Sequence, residues 1–212
     1  MGRKRKTPSK NIIIRNCYMH DGHGAVVIGS EMSGGVHEVK VEACIFEKTD
    51  RGLRIKTRRG RGEQGRIDQI TFRNIRMKEV LTPFVMNMFY FCDIDGKTEY
   101  VWSKDKLPVT EDTPYLGSFL FENIHCSNSH VAAGFFAGLP EQPIKKIEMN
   151  NIFIEFSEKS IEDVPAMMSF CDPVTKQGII AQYVSELIMN KLTIKGHTGE
   201  KYSLKHVDKI IE

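Results

Sequence analysis

Six segments of the chain can be written in one register, and this recurrence restricts the fold more than any other feature of the sequence. They begin at Ile12, Val39, Ile70, Phe119, Ile147 and Leu187. The first, third and sixth places are apolar in all six, as in Ile12, Ile14 and Cys17 or in Phe119, Phe121 and Ile124. The eighth place is again apolar (Met19, Phe46, Met77, Cys126, Ile154, Ile194), the fourth is always polar, and the fifth is Asn in four of the six. Alternation at the first and third places is the period of a half-buried strand. The change of phase after the fifth place marks a bend with a second short strand beyond it. Asn suits that bend, because its side chain can bond nearby backbone and it tolerates left-handed conformations. A helical period of 3.6 residues does not fit.

The intervals between segments are 27, 31, 49, 28 and 40 residues, so a short unit recurs with insertions. Recurrence on this scale signals a solenoid, in which no unit can bury its inner face alone and stacking builds one continuous core. Leucine-rich repeats compete as a solenoid, but their tight leucine spacing and shorter period are absent. The pattern therefore predicts an all-β parallel β-helix of about six coils, forming a single domain over 1–212. The two longest intervals predict loops leaving the coils. One contains Asp93, Asp95, Gly96, Trp102, Pro108 and Pro114; the other runs from Ser157 to about Tyr183 and contains Pro165, Asp172 and Pro173. Such loops are either the rims of a groove or spacers.

A net charge of +3, with 41% hydrophobic and 27% charged residues, names no function. The positive excess is concentrated in the run Arg3, Lys4, Arg5, Lys6 and in a loop carrying Arg58, Arg59, Arg61 and Arg66. That loop has no interleaved aromatics to stack bases, and Glu63 interrupts it, so it is expected to be a flexible, solvated loop and not a nucleic-acid patch. The N-terminal run resembles a nuclear-localisation string, as do many disordered ends. The five cysteines are odd in number and include no CxxC pair. They imply neither a disulfide framework nor a zinc site and read as buried small hydrophobes. No apolar run approaches the roughly 18 to 20 residues that span a bilayer. Met1 is followed by charge without an apolar signal core, so no signal peptide and no membrane partner are expected, and the chain as it stands should stay soluble where it is made.

Three side chains stand out as chemistry. In Asp21-Gly22-His23-Gly24 two glycines allow a tight turn that presents the imidazole free of bulk, although a plain surface histidine would look the same. In Leu53-Arg54-Ile55-Lys56, burial of the apolar pair puts both cations on the outer face, spaced by roughly 6.5 to 7 Å. Arg54 can grip a carboxylate with its planar fork and Lys56 can act as a point charge; the plain alternative is a solvated strand face. Matching apolar residues sets Val26-Val27-Ile28-Gly29-Ser30 beside Leu53-Arg54-Ile55-Lys56-Thr57. His23 then lies about one coil from Arg54, close enough for the three to meet one sugar-sized ligand.

At these residues the sequence resembles a known family. Gly22-His23-Gly24 with Ile28-Gly29-Ser30, followed by Arg54-Ile55-Lys56, is similar to the GHG and RIK motifs of glycoside hydrolase family 28, the polygalacturonases and exo-polygalacturonases. The order and spacing of the motifs match, and the likeness weakens beyond about Ser157. The resemblance implies a right-handed β-helix and hydrolysis of α-1,4 links in galacturonan (pectin) with inversion and no cofactor or metal. It implies His23 as a catalytic residue beside the acid and base, and Arg54 and Lys56 as binders of the galacturonate carboxylate. Tyr90, in Asn87-Met88-Phe89-Tyr90, matches the family's groove tyrosine less securely, a packed aromatic being the alternative. The family's catalytic aspartates lie in NTD and DD motifs upstream of GHG. This chain is thus expected to be truncated on its N-terminal side and inactive alone, with neither Asp21 nor Asp50 as substitute. Family members are usually secreted or periplasmic. A non-catalytic carbohydrate-binding β-helix is the alternative, and a calcium-dependent pectate lyase is less favoured because no acidic cluster accompanies Arg54.

Overall fold

The structure is a computed structural model that describes residues 6–62, 64–92 and 94–212. Each coil begins with a strand on one face, and these strands are β1 (Ser9–Arg15), β4 (Val36–Glu42), β7 (Arg66–Lys78), β10 (Ser118–Ser129), β12 (Ile144–Phe156) and β13 (Gln177–Lys195). All pair in parallel, in the register read from the sequence: Ile12 with Val39, Val39 with Ile70, Ile70 with Phe119, Phe119 with Ile147, and Ile147 with Leu187. The second, short strand appears by itself in the first two coils as β2 (Tyr18–His20) and β5 (Ile45–Glu47). In later coils it runs on within the long strand, so that Ile45 and Phe46 pair with Arg76 and Met77. A third face is built by β3 (Val26–Ile28), β6 (Arg51–Lys56), β8 (Thr82–Asn87), β11 (Ala132–Ala137), the first part of β13, and β14 (Tyr202–Ile211). A two-residue strand, β9 (Tyr115–Leu116), pairs with the start of β7. The chain is a right-handed parallel β-helix of six coils with the start of a seventh.

The fifth place does what its asparagines suggested. All six residues there, Asn16, Ala43, Asn74, Asn123, Asn151 and Lys191, have φ between 52° and 56°. Three of the asparagines also form a ladder along the solenoid: Asn123 donates to Asn74 at 3.3 Å, and Asn151 donates to Asn123 at 2.8 Å. A second bend falls at the tenth place, where Asp21, Lys48, Glu79 and Asn128 also take positive φ. No residue type repeats there, so composition left that bend unmarked.

The first, third, sixth and eighth places meet inside. Phe72, Phe121 and Phe84 are fully buried and pack ring against ring, with centroids 6.0 Å apart for Phe72 and Phe121 and 4.5 Å for Phe84 and Phe121. Each such ring contributes about 1.5 to 3 kcal/mol by leaving water. The first coil lacks this cover: Ile12 is 37% exposed, whereas Val39 and Ile70 below it are buried.

Three expectations need correction. The arginine loop is not solvated, because Arg58, Arg59 and Arg61 are buried and only Arg66 is exposed; Glu63 lies outside the described residues. The residues after Phe91 form a short turn of helix at Asp95–Lys97 and a four-residue helix at Glu99–Trp102, and they fold back over those arginines. Arg59 bonds Glu141 through Nε at 2.6 Å and Nη2 at 2.9 Å, and it also donates to the carbonyls of Tyr100, Ser103 and Asp105. Arg58 pairs with Asp95 and Arg61 with Glu31. An arginine run is read as surface because a lone cation is costly to bury, but five donors and a facing carboxylate remove that cost. The second insertion ends earlier than expected, since β13 already begins at Gln177. Of the cysteines only Cys44 and Cys126 are buried, and Cys17, Cys92 and Cys171 are half-buried free thiols. Asp93 and the N-terminal Arg3, Lys4 and Arg5 lie outside the described residues.

Candidate carboxylate-binding site

The third face carries the site. Val26 pairs with Leu53, Val27 with Arg54 and Ile28 with Ile55, which is the alignment read from the apolar residues. Leu53 and Ile55 are fully buried, so Arg54 and Lys56 stand on the outer face. His23 sits in the turn before β3. Gly22 takes φ +97°, and a Cβ at Gly24 would come 2.7 Å from Val27 Cγ2, so the glycines let the turn fold tightly onto its own strand β3. Asp50 N–H donates to Gly22 O at 2.9 Å and Ala25 N–H to Arg51 O at 2.9 Å, which staples the turn to the neighbouring coil.

His23 is almost entirely exposed, and its Nδ1 lies 2.7 Å from Asp50 Oδ2. Asp21 turns instead to its own neighbour, His20, at 2.6 Å. Each of the two aspartates near the turn is thus engaged by a histidine. Arg54 Nη1 donates to His23 O at 3.3 Å, so the guanidinium and the turn that bears the imidazole touch.

Lys56 lies against Tyr90, its ammonium 5.0 Å from the ring centroid. Burial lowers the pKa of this lysine from its ordinary value, and the positive charge of Arg54 acts in the same direction. Tyr90 is 92% removed from solvent and its N–H donates to Thr57 O at 3.1 Å. It is a packed aromatic that also forms one wall beside Lys56. Arg54, Lys56, Tyr90 and His23 therefore come together on one face.

The second insertion closes the other side, through contacts the repeat pattern did not reveal. Met167 Sδ lies 2.7 Å from Arg54 Nη2, and Met167 O accepts from Asn87 Nδ2 at 2.9 Å. Arg51 anchors the same loop by donating to Pro165 O at 3.0 Å and Val164 O at 2.6 Å. Arg51 is the first residue of β6, and the loop carbonyls it holds are more than a hundred residues away, so no local signal marks it. Among the described residues, no group of three His, Cys, Asp or Glu side chains is placed to hold a metal ion, and no helix is long and apolar enough to cross a membrane.

Fold and site together define a parallel β-helix protein with a cationic cluster beside an aromatic ring on its outer face. The sequence profile of Glycosyl hydrolases family 28 matches residues 6–169, and the chain belongs to that family. It is 29% identical over 154 residues to a probable polygalacturonase of Vitis vinifera, covering 72% of this chain and 29% of the relative. It is 33% identical over 101 residues to an exo-poly-alpha-D-galacturonosidase of Dickeya chrysanthemi, covering 48% of this chain and 16% of the relative. The hyperthermoactive exopolygalacturonase of Thermotoga maritima superposes with a TM-score of 0.62 at 25% identity, over 90% of this chain and 36% of that one. The family 28 exopolygalacturonase of Yersinia enterocolitica shares the fold, with a TM-score of 0.64 at 21% identity over 96% of this chain and 31% of that one. The matched stretches thus cover between 16% and 36% of the length of these four proteins.

Proposed function

We propose that this chain carries the carboxylate-binding half of a polygalacturonase-type hydrolase site acting on α-1,4-galacturonan. Arg54 and Lys56 hold the uronate carboxylate, Tyr90 walls the sugar, and His23 stands next to the acid and base. The observation that carries this reading is the outward pair Arg54 and Lys56 on fully buried strand neighbours, one coil from His23 and against Tyr90. A fixed guanidinium and ammonium on a rigid strand lose little freedom on meeting a carboxylate, which favours affinity and selectivity for an acidic sugar.

Inverting hydrolysis needs one carboxyl group as acid and a second as base, with a water between them. In this reading neither Asp21 nor Asp50 fills those roles, because neither stands at a position that matches the family's catalytic motifs. The acid and base, on the same reading, belong to coils outside this chain, whose matched stretches cover 29% and 36% of two longer relatives. A non-catalytic carbohydrate binder would use the same cations, and one assay separates the readings from an enzyme whose acids lie within this chain. Incubation with polygalacturonate should release no reducing ends while oligogalacturonate binding is retained. Hydrolysis that disappears in Asp21→Asn or Asp50→Asn would place the catalytic carboxyls in this chain and overturn the proposal.

A further inference from the structure

Among the described methionines, Met167 is the one that the fold leaves open. It is 38% exposed, whereas seven others are 6% exposed or less and Met19 is half-buried. The segment that carries it is held through its backbone. Arg51 donates to the carbonyls of Val164 and Pro165, and Met167 O accepts from Asn87 Nδ2 at 2.9 Å and from the Phe91 N–H at 3.4 Å. Tyr90 and Met168 form an antiparallel bridge, which turns Met168 inward and Met167 outward. The main chain is thus fixed, and the thioether is set with its Sδ 2.7 Å from Arg54 Nη2.

That contact joins a strong donor to a weak acceptor. Arg54 Nη1 already donates to His23 O, and Nη2 meets a thioether sulfur, which accepts only weakly. A ligand carboxylate, bonded to a charged donor, displaces such a sulfur readily. Nη2 engages one lone pair of the sulfur, and the second stays available to an oxidant. Oxidation inverts the competition, because it converts the apolar thioether into a polar sulfoxide whose oxygen accepts strongly from a guanidinium. The oxidised side chain then holds the same Nη2 that a uronate needs.

We propose that Met167 is a reversible oxidation site for a peroxide, and that its sulfoxide occupies Arg54 and switches off carboxylate binding. The proposal rests on the reading of Arg54 given above. The step is a two-electron oxygen transfer: the O–O bond of hydrogen peroxide breaks, one oxygen joins Met167 Sδ, and the other leaves as water with both protons. Sulfur is oxidised and the peroxide is reduced. A methionine sulfoxide reductase reverses the change, with two thiols going to a disulfide and the oxygen leaving as water.

The test is limited oxidation of the full chain with hydrogen peroxide, followed by peptide mass mapping and calorimetric titration with trigalacturonate. Met167 should gain one oxygen ahead of the buried methionines, and affinity should fall at least about tenfold. Treatment with methionine sulfoxide reductases for both epimers should restore it. Met167→Leu keeps every cysteine, so its affinity, whatever the starting value, should be the same before and after peroxide. In Arg54→Ala the affinity that remains should also be unmoved by peroxide, since no guanidinium is left to occupy. A Met167 that stays reduced while buried methionines oxidise overturns the switch. So does oxidation of Met167 that leaves wild-type affinity intact, or an equal peroxide loss in wild type and Met167→Leu; in each case tighter binding by untreated wild type than by Arg54→Ala leaves the first site standing. Trigalacturonate bound equally by untreated wild type and Arg54→Ala, or by neither, overturns the first site and the switch with it.

Discussion

The imidazole of His23 and the carboxylate of Asp50, 27 residues apart in sequence, meet across adjacent coils with Nδ1 2.7 Å from Oδ2. An ionised carboxylate only accepts, so His23 donates through Nδ1 and its Nε2 is left for a ligand or a neighbouring acid. In ¹⁵N spectra of the neutral ring His23 should show the Nδ1–H tautomer, and Asp50→Ala should shift it towards Nε2–H with the melting temperature little changed, because both groups are substantially exposed. An unchanged tautomer in Asp50→Ala would remove Asp50 from the site.

Arg59 and Glu141 are each 1% exposed and joined by two hydrogen bonds. Removing one partner leaves the other charge buried, which typically costs about 3 to 5 kcal/mol. Glu141→Ala should therefore lower urea stability by about that much, and Arg59→Ala should also release the carbonyls of Tyr100, Ser103 and Asp105 and free the first insertion to proteolysis. A loss below about 1 kcal/mol would mean that the clamp does not hold the insertion.

Asn123 sits in the middle of the asparagine ladder with φ 54°. Asn123→Ala should cost about 1 to 2 kcal/mol for the left-handed backbone, with a further loss from the two ladder bonds. Asn123→Gly should recover the backbone part, since glycine adopts that conformation freely. Equal losses for the two substitutions would show that the ladder, and not the backbone, decides the preference for Asn. Thermal melts of both variants settle which.

Lys104 makes folding depend on pH in a definable direction. Its folded pKa is lowered to about 7, while the unfolded chain holds the proton up to about 10.4. Between those values the unfolded state binds more protons, so this residue's contribution to stability rises with pH. Lys104→Met should raise the melting temperature, more at pH 6 than at pH 9. A gain that is equal at both values would mean that the lysine is well solvated.

The register of the coils was legible because one position recurs with one physical demand. Each first place faces the core, and each fifth place must adopt a left-handed bend. His23, Arg54 and Lys56 could be set together for the same reason, since aligning Val26 with Leu53 fixes which side chains point outward. What failed lies in the loops between coils, which obey no repeat and whose partners are distant in sequence. Arg59 reads as solvent-facing until Glu141, 82 residues later, folds beside it. Met167 reads as a loop residue until it lies on Arg54.

The central claim is that Arg54 and Lys56 grip a uronate carboxylate, and calorimetric titration with trigalacturonate tests it most directly. The wild-type chain should bind the free acid and bind the methyl ester much more weakly. Arg54→Ala should lose at least about tenfold in affinity, because a hydrogen bond to a charged group contributes about 1.5 to 3 kcal/mol. Arg54→Lys should recover only part, since an ammonium cannot reproduce the planar fork. Equal affinity for acid and ester, or an Arg54→Ala chain that binds the acid as tightly as wild type while melting at the same temperature, would contradict the account and return both residues to a solvated strand face.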